Sequence, residues 1–547
     1  MKKTYIDTAM ERIAPDLILK GGNVVDVFSG RVIKADVIIK DGIICGVGSY
    51  SGENEQDVSG KYIMPGFIDS HVHIESSMTQ PSEYAKAVMP HGITTVIADP
   101  HEITNVCGED GLEFMLKSAK NIPLDVNLML PSCVPATPFE HTGANLDAKT
   151  TQKLAPKFFG IGEMMNYPGI VSGDDETLGK LCLDIIDGHA PLLSGHELDA
   201  YASAGIKTDH ECSVIEEMTE KISKGMYILL REGTLSLDVA KLIKGVTPYM
   251  LRRCAFCTDD RFVGEIIRDG SIDHCIRKAV SLGLSNIDAI IMATLNACEM
   301  YGMKNKGAIA PSYVADIVVA DDLNLSSISQ VYKNGKLVCE NGKALFECET
   351  VDNSKVTNTV HLPKISADFF KTDVKDKFDA IELIPESIIT KKVTVSYSDS
   401  LSKVCVIERH HNLGTKGIGF VTNYGITNGA IATSIGHDSH NVIVIGDNDS
   451  DMALAVNTLG TSGGIAVCSE GKVIASMTLD IAGLMSVKSA DEVTREHDNL
   501  YSAAKVLNIT DKIDPFLSLA FLPLPVIPAV RITDSGLFDV INFKFVE

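Results

Sequence analysis

The sequence predicts an α/β protein built around a (β/α)8 TIM-type barrel, together with a small β-sandwich and a further α/β domain. Three observations support this prediction. The middle of the chain, 61–310, alternates short apolar strands with amphipathic helical stretches. Two β-rich segments, 1–60 and 311–350, flank that region. A second set of strands and helices occupies 390–547, after a polar segment at 351–389 that we predict to be a linker.

The two flanking segments show the alternation and turn residues of β-hairpins. Asp41-Gly42 joins two β-rich runs, and Asp-Gly is a strong signal for a two-residue hairpin turn. A similar pattern returns at 315–320 and 331–339. We therefore expect both ends of the middle region to pack into one small β-sandwich domain.

Eight strand segments occur within the middle region, and helical patterns separate most of them. They begin at Tyr62, Ile93, Asp125, Gly160, Asp184, Ile206, Met226 and Cys254. Repeated βα units favour parallel strands, and eight of them in about 250 residues are typical of a barrel. A doubly wound open sheet is the alternative arrangement. However, the sequence has neither a Gly-x-Gly-x-x-Gly after an early strand nor a Walker A loop.

Composition and charge exclude several classes of partner. Lys and Arg number 49 and Asp and Glu number 72, which gives a net charge of −23, so we expect no nucleic-acid partner. The apolar stretch 516–530 contains three prolines, so we expect no membrane span. The first residues lack the apolar core of a signal peptide, and many of the thirteen cysteines lie in apolar runs. We therefore expect a cytoplasmic protein with reduced thiols.

Side chains that can bind metals follow the apolar part of several predicted strands, at the face where barrel enzymes keep their active sites. His71 and His73 are two residues apart, so both point to the same side of a strand and can reach one ion. The others are Glu163, His189, His210 and Asp259. A single histidine at a strand end is more often an ordinary polar cap, but six such residues at matching strand ends favour a divalent metal site. Two ions fit if one carboxylate bridges them.

The segments around these positions resemble the amidohydrolase superfamily and, more specifically, the bacterial adenine deaminase family. Pro65-Gly-Phe-Ile-Asp-Ser-His-Val-His resembles the first-strand signature of the superfamily. The segments similar to adenine deaminases are His71-Val-His-Ile-Glu-Ser-Ser-Met, Asp99-Pro-His-Glu, Gly162-Glu-Met-Met-Asn, Asp187-Gly-His-Ala-Pro, Thr208-Asp-His-Glu, Arg231-Glu-Gly, Thr258-Asp-Asp-Arg and Gly436-His-Asp-Ser-His-Asn. The resemblance extends over nearly the whole chain.

The resemblance implies hydrolytic deamination of adenine to hypoxanthine and ammonia, in purine salvage. It implies a pair of metal ions, one held by His71, His73 and Asp259, the other by His189 and His210, with Glu163 as the bridge. Glu163 stands where many amidohydrolases have a carboxylated lysine, as it does in adenine deaminases. The implied metal is Mn2+. Fe2+ and Zn2+ are alternatives, because nitrogen and oxygen ligands without a thiolate are compatible with all three.

The expected chemistry requires a nucleophile, a proton carrier and an acid that faces the purine. A metal pair lowers the pKa of a bound water and presents hydroxide to C6 of adenine. Asp259, beside that hydroxide, can take its proton and deliver it to the leaving amine. Attack at C6 moves charge onto the ring nitrogens, and the candidate acids are His101, Glu102 and Glu232. Each of the three has the alternative of a loop residue that hydrogen-bonds its own backbone.

Two other functions remain compatible with the sequence. One is another amidohydrolase, such as a cyclic amidase or a deaminase of a different heterocycle, because the same metal centre serves both reactions. The other is a catalytically silent relative, but such a protein should lack some of the six ligands. Because large enzymes of this kind commonly self-associate, we expect a homo-oligomer such as a dimer.

We expect a structural instead of a catalytic role for two short motifs. Cys254-Ala-Phe-Cys257 resembles the CxxC of zinc-dependent cytidine-type deaminases, but residues i and i+3 of a strand face opposite sides. We therefore expect both cysteines to be core residues. We interpret His437-Asp-Ser-His440 as a turn with helix-capping residues. The alternative is a loop that covers the barrel mouth or a subunit interface.

Overall fold

A computed structural model describes residues 2–373, 376–398 and 401–546. Its first strands are β1 (Leu17–Asp26), β2 (Arg31–Lys40), β3 (Ile43–Gly48), β4 (Glu55–Asp57) and β5 (Tyr62–Pro65). The predicted hairpin joins β2 to β3. Its turn residues Asp41 and Gly42 have φ angles of 49° and 75°, which is the left-handed conformation that a type I′ turn requires.

The middle region contributes eight parallel strands. They are β6 (Phe67–Val72), β7 (Ile93–Ala98), β8 (Asp125–Leu130), β9 (Gly160–Met164), β10 (Ile186–Gly188), β11 (Thr208–Asp209), β12 (Tyr227–Arg231) and β13 (Cys254–Cys257). Strands β6 to β10 form one parallel sheet and β11 to β13 another. The two sheets approach at both ends: the backbone N–H of Asp259 donates to the carbonyl of His71 (3.0 Å), and that of Lys207 donates to Ile186 (3.3 Å). Together they form a curled parallel sheet.

At least one helix follows each of these eight strands. The helices up to residue 300 are α1 (Lys2–Ala9), α2 (Pro81–Val88), α3 (His101–Lys120), α4 (Ala148–Leu154), α5 (Tyr167–Ser172), α6 (Asp175–Gly179), α7 (Gly195–Ser203), α8 (Ile215–Ser223), α9 (Val239–Leu242), α10 (Val263–Asp269), α11 (Ile272–Ser281), α12 (Asn286–Met292) and α13 (Leu295–Met300). The residues of β6 and β7 are buried throughout, as expected for parallel strands covered on both faces.

The strands after the middle region return to the first sheet. They are β14 (Ile317–Ala320), β15 (Ile328–Lys333), β16 (Lys336–Glu340) and β17 (Lys343–Ala344). β14 pairs antiparallel with β5, which places Ile317 opposite Pro65. The two flanking segments therefore share one nine-stranded sheet. The short connection from β5 to β6 then leads directly from this sheet into the parallel strands.

The C-terminal region forms a second α/β unit. Its strands are β18 (Phe378–Leu383), β19 (Thr390–Val395), β20 (Ser402–Ile407), β21 (Lys416–Thr422), β22 (Gly429–Thr433), β23 (Val442–Gly446), β24 (Gly464–Ser469), β25 (Lys472–Thr478), β26 (Val530–Thr533), β27 (Gly536–Asp539) and β28 (Lys544–Phe545). β18 to β25 form a mixed eight-stranded sheet. The helices are α14 (Asp449–Thr458), α15 (Ala490–Ala504) and α16 (Leu517–Phe521).

Part of the segment predicted as a linker belongs to this sheet. β18 lies within 351–389 and pairs with β19 and β21. The buried side chains of Ala380, Ile381 and Leu383 explain its position, because they complete the apolar core of the sheet.

The C-terminal region packs directly on the parallel strands and their helices. Helix α15 contacts α10. The backbone N–H of Ser486 donates to the carbonyl of Met78 (2.9 Å), near the carboxyl end of β6. Among the described residues, no helix combines the length and the apolarity that a membrane span requires.

Candidate metal centre and cavity

The six residues predicted as metal ligands meet at the carboxyl ends of the parallel strands. His71 lies in β6 and His73 directly after it, and their Nε2 atoms are 3.2 Å apart. Asp259, after β13, brings Oδ1 to 3.1 Å from His73 Nε2 and to 3.5 Å from His71 Nε2. Bonds of about 2.0–2.2 Å to one ion place neighbouring ligand atoms about 3–3.5 Å apart. The spacing of these three side chains therefore suits a single ion.

Glu163 lies between this group and a second one. Its Oε1 is 3.4 Å from His73 Nε2. Its Oε2 is 2.6 Å from His189 Nδ1 and 3.1 Å from His210 Nε2. Each carboxylate oxygen thus faces a different group of histidines, which is the arrangement that a bridging carboxylate requires.

The hydrogen bond made by His73 fits metal binding. Its Nδ1 lies 2.8 Å from the carbonyl oxygen of Asp99 and donates a hydrogen bond to it. The neutral imidazole then carries its lone pair on Nε2, which points at the site. The two Nε2 atoms, 3.2 Å apart, can share a hydrogen bond, and the same spacing allows both to bind one cation. The donors are nitrogen and oxygen atoms without a thiolate, which fits Mn2+, Fe2+ or Zn2+.

Two further side chains, neither of them among the predicted site residues, support the candidate ligands. Arg231 Nη1 lies 3.1 Å from Asp259 Oδ2, and the same guanidinium also contacts Glu211. Asp99 Oδ2 accepts the backbone N–H of Glu163 at 2.9 Å. Both residues lie in segments that carry the family resemblance. A single sequence, however, does not distinguish a ligand from the residue that holds it in place.

His101 and Glu102, the first residues of α3, extend the site away from the metal ligands. His101 Nδ1 lies 3.1 Å from Glu163 Oε1, and its Nε2 lies 3.3 Å from Glu102 Oε1. Both side chains are buried. His101 therefore connects the metal centre to Glu102.

Two histidines of the C-terminal region bind the Glu102 carboxylate, one on each oxygen. His437 Nδ1 lies 2.8 Å from Oε1, and His440 Nε2 contacts Oε2. A turn does form at 437–439, but these histidines bind Glu102 instead of capping a helix. The capping interpretation is therefore wrong; the loop lies against the first residues of α3, at the carboxyl end of β7. Glu102 and His440 are 338 positions apart, so local sequence carries no signal for this contact.

The charges of this group follow from burial and from the mutual contacts. Burial raises the pKa of Glu102, but the charge of His437 and the other imidazoles outweighs it and holds the pKa well below its usual range. Burial lowers the pKa of His437, but the Glu102 carboxylate raises it to about 9. Burial lowers the pKa of His440 to about 4. At neutral pH the group is a carboxylate, an imidazolium and a neutral imidazole.

A cavity lies where the region of the parallel strands and the C-terminal region meet. Its polar wall includes Glu75, Glu102, Asp260 and His437. Its apolar wall includes Met78, Phe262, Ile435, Leu484, Phe516 and Phe521. A cavity that is largely apolar with a few convergent polar groups is typical of a site for a small molecule.

Glu232 does not line this cavity. Its carboxylate pairs with Lys278, and within the described part of the chain it makes no hydrogen bond or ion pair with any of the six predicted ligands. Arg231 and Glu232 are neighbours at the end of β12, and successive side chains of a strand point in opposite directions. Because Arg231 faces Asp259, Glu232 points elsewhere. Cys254 and Cys257 are fully buried in β13, as expected of core residues.

Comparison with known proteins identifies the family. Residues 62–338 match the amidohydrolase family, and residues 383–544 match the adenine deaminase C-terminal domain. An adenine deaminase of Clostridium acetobutylicum is 48% identical over 99% of both chains. An adenine deaminase of Nitratidesulfovibrio vulgaris is 44% identical over 99% of this chain and 97% of its own.

Among solved structures, a beta-aspartyl dipeptidase from Fervidobacterium islandicum AW-1 is 20% identical, with a TM-score of 0.45 over 61% of this chain and 99% of that chain. The two adenine deaminases are far more similar in sequence, and they match this chain from end to end. The chain belongs to the adenine deaminase family of amidohydrolases.

Proposed function

We propose that this chain hydrolyses adenine to hypoxanthine and ammonia, in purine salvage. The observation that supports this best is the convergence of six ligand-type side chains beside a cavity closed by the C-terminal region. Relatives named adenine deaminase match both of the regions that build this cavity.

The metal centre in this proposal is binuclear. His71, His73 and Asp259 would hold one ion, His189 and His210 would hold the other, and Glu163 would provide one carboxylate oxygen to each. We favour Mn2+, with Fe2+ or Zn2+ as alternatives. When bound, such a pair lowers the pKa of a coordinated water and so supplies a nucleophile at neutral pH.

Asp259 moves the proton. Its Oδ1 faces the histidines of the metal centre, while Oδ2 is held by Arg231. From this position Oδ1 takes a proton from the attacking water and delivers it to the amine that leaves C6. Arg231 keeps the carboxylate in the orientation that both transfers need.

The polar wall of the cavity faces the purine ring. Attack at C6 moves negative charge onto the ring nitrogens, so a hydrogen-bond donor must lie there. Of the candidates from the sequence, His101 and Glu102 lie beside the metal centre, whereas Glu232 pairs with Lys278. Because Glu102 is ionised, it carries no proton of its own to give. It acts through a protonated neighbour.

The domain organisation follows from the same proposal. The eight parallel strands of 61–310 close into a (β/α)8 barrel, supported by the contacts between β6 and β13 and between β10 and β11. Segments 1–60 and 311–350 form the small β-sandwich beside it, and the C-terminal α/β domain of 390–547 also includes β18. The enzyme works as a homo-oligomer such as a dimer. All thirteen cysteines are free, which supports a cytoplasmic location.

A metal-reconstitution assay tests the proposed function. The purified chain is stripped of metal and reloaded with Mn2+, Fe2+ or Zn2+, and ammonia release is measured from adenine, adenosine and cytosine. Release from adenine alone is expected. Release from another heterocycle would replace the substrate while keeping the metal centre. Two bound ions without ammonia release would indicate a cyclic amide substrate or a catalytically silent relative.

A further inference from the structure

We propose that His437, supplied by the C-terminal region, contacts the substrate directly by donating a hydrogen bond from Nε2 to a ring nitrogen of the purine. Glu102 is then a positioning residue that holds the imidazole of His437. This inference rests on the proposed function, because it assigns the polar contact that the cavity makes with an adenine ring.

The contacts of His437 fix one ring nitrogen and leave the other available to a ligand. Its Nδ1 lies 2.8 Å from Glu102 Oε1. The opposite nitrogen, Nε2, makes no hydrogen bond within the described parts of the chain, although the residue is only 8% exposed and lines the cavity. A carboxylate on Nδ1 fixes the orientation of an imidazole and directs Nε2 at the ligand.

The plane of the ring is fixed as well. The imidazole stacks on Phe521 with 4.6 Å between ring centroids and 15° between planes. Phe521, like His437, belongs to the C-terminal region and lines the cavity. Because Phe521 contacts the face of the ring and Glu102 contacts Nδ1, the direction in which Nε2 points is fixed.

A second histidine holds the other side of Glu102. The backbone N–H of Gly436 donates to His440 Nδ1 (3.3 Å), so the neutral His440 presents Nε2–H to Glu102 Oε2. Arg409 Nε in turn contacts the carbonyl of His440. Glu102, His437 and His440 also have the composition of a metal site. The protonation of His440 Nε2 favours hydrogen bonding over a third ion, because a protonated nitrogen has no lone pair for a metal.

The charge of His437 matches the chemistry of the reaction. With its pKa raised to about 9 by Glu102, His437 carries hydrogens on both nitrogens at neutral pH. The ring nitrogens of neutral adenine that carry no hydrogen are all hydrogen-bond acceptors. Attack at C6 increases the negative charge on these atoms, so a fixed cationic donor binds the transition state more strongly than the ground state.

Two substitutions separate the contact with substrate from the contact with Glu102. His437→Asn keeps a donor near the position of Nδ1 but removes the group that reaches the cavity. His437→Gln places an amide donor near the position of Nε2. We expect kcat/KM for adenine to fall about 100-fold in His437→Asn and less in His437→Gln. His196→Asn, at an exposed histidine, is the matched control and should retain wild-type kinetics.

Deaza analogues identify the acceptor. Inhibition constants are measured for 1-deaza-, 3-deaza- and 7-deazaadenine with wild-type protein and with His437→Asn. The analogue that lacks the contacted nitrogen should bind both proteins equally, whereas the other two should bind the variant more weakly. Metal content and melting temperature are measured for each protein, so that a folding defect in His437→Asn leaves His437→Gln as the test variant.

Three results would overturn the inference. The first is wild-type kcat/KM in His437→Asn. The second is equal weakening of all three analogues. The third is a third metal ion in the wild type that His437→Asn loses. Absence of ammonia release from adenine by the wild type, with every metal, would instead overturn the proposed function, so the two failures are distinguishable.

Discussion

Arg231 Nη1 lies 3.1 Å from Asp259 Oδ2, the oxygen opposite to the one that faces His73. The guanidinium thereby determines which oxygen of Asp259 points at His71 and His73. It also contacts Glu211 and Asp238, and it is itself buried. Only a planar fork of several donors can reach three carboxylates at once.

Replacing Arg231 should therefore affect both turnover and stability. Arg231→Lys keeps the charge but loses the fork, and a displaced Asp259 carboxylate should lower kcat for ammonia release about 100-fold. Arg231→Met leaves buried carboxylates unpaired and should lower the free energy of unfolding by about 3–5 kcal/mol, measured by urea denaturation. Wild-type kcat in Arg231→Lys would show that Asp259 is positioned by other contacts.

Glu163→Gln should lower the metal content of the protein. The amide retains one oxygen but loses the charge that two groups of histidines share, so a bridge between two ions is weakened. Elemental analysis of the purified variant measures this directly. Glu102→Gln is the matched control. The Glu102 carboxylate contacts His101 and His437 instead of the assigned ligands, so this variant should retain two ions. An unchanged stoichiometry in Glu163→Gln would contradict the bridging role.

Asp259→Asn should leave most of the fold intact and remove most of the turnover. The amide cannot accept and return a proton at Oδ1, and general acid–base catalysis typically contributes 10²–10⁴-fold, so we expect a loss of about 1,000-fold in kcat. Ammonia release measures the rate, and circular dichroism checks the fold. Asp184→Asn, at an exposed position, serves as control. If Asp259→Asn turned over adenine at the wild-type rate, another residue would carry the proton.

His497 should make stability depend on pH. Its ring lies 3.8 Å from that of Phe262, and burial, with a smaller contribution from Arg268, lowers its pKa to about 4. In the unfolded chain the pKa is near 6.5, so the unfolded state binds the proton first as the pH falls. The stabilisation is complete above pH 6.5 and is lost progressively between 6.5 and 4.

Urea denaturation at pH 7 and pH 5 tests this contribution. The wild type should lose about 2 kcal/mol more than His497→Phe between these pH values, because phenylalanine keeps the ring packing without the proton. Other titrating groups are common to both proteins and cancel in the difference. Equal losses in both proteins would assign the pH dependence to other residues.

The parallel strands and the convergence of the six candidate ligand side chains could be predicted because their signals are local. The spacing of His71 and His73 places both side chains on the same side of one strand. Residues that directly follow apolar runs lie together at the carboxyl ends of parallel strands. β11 shows the limit of this reasoning: the apolar pattern predicts 206–210, whereas the structure pairs only Thr208 and Asp209 as a strand. Polar residues at strand ends have contacts that interrupt regular pairing.

The contacts between distant segments could not be predicted. His437 and His440 belong to a loop with no periodicity, and only tertiary folding brings them to Glu102. Likewise β18 was not predicted, because it lies in the polar segment before residue 390. Phe378–Leu383 is buried only by pairing with strands that follow it in the chain. Sequence patterns report which side chains prefer burial, but not which distant segment buries them.

The cavity wall is completed very late in the order of synthesis. Asp259, the last of the six assigned ligands, precedes Phe516 and Phe521 by nearly half of the chain. Because domains generally fold N-terminal first during synthesis, the six assigned side chains can converge before the residues that complete the cavity wall have been made. A chain truncated before Phe516 would therefore contain the six assigned side chains but lack part of the cavity wall.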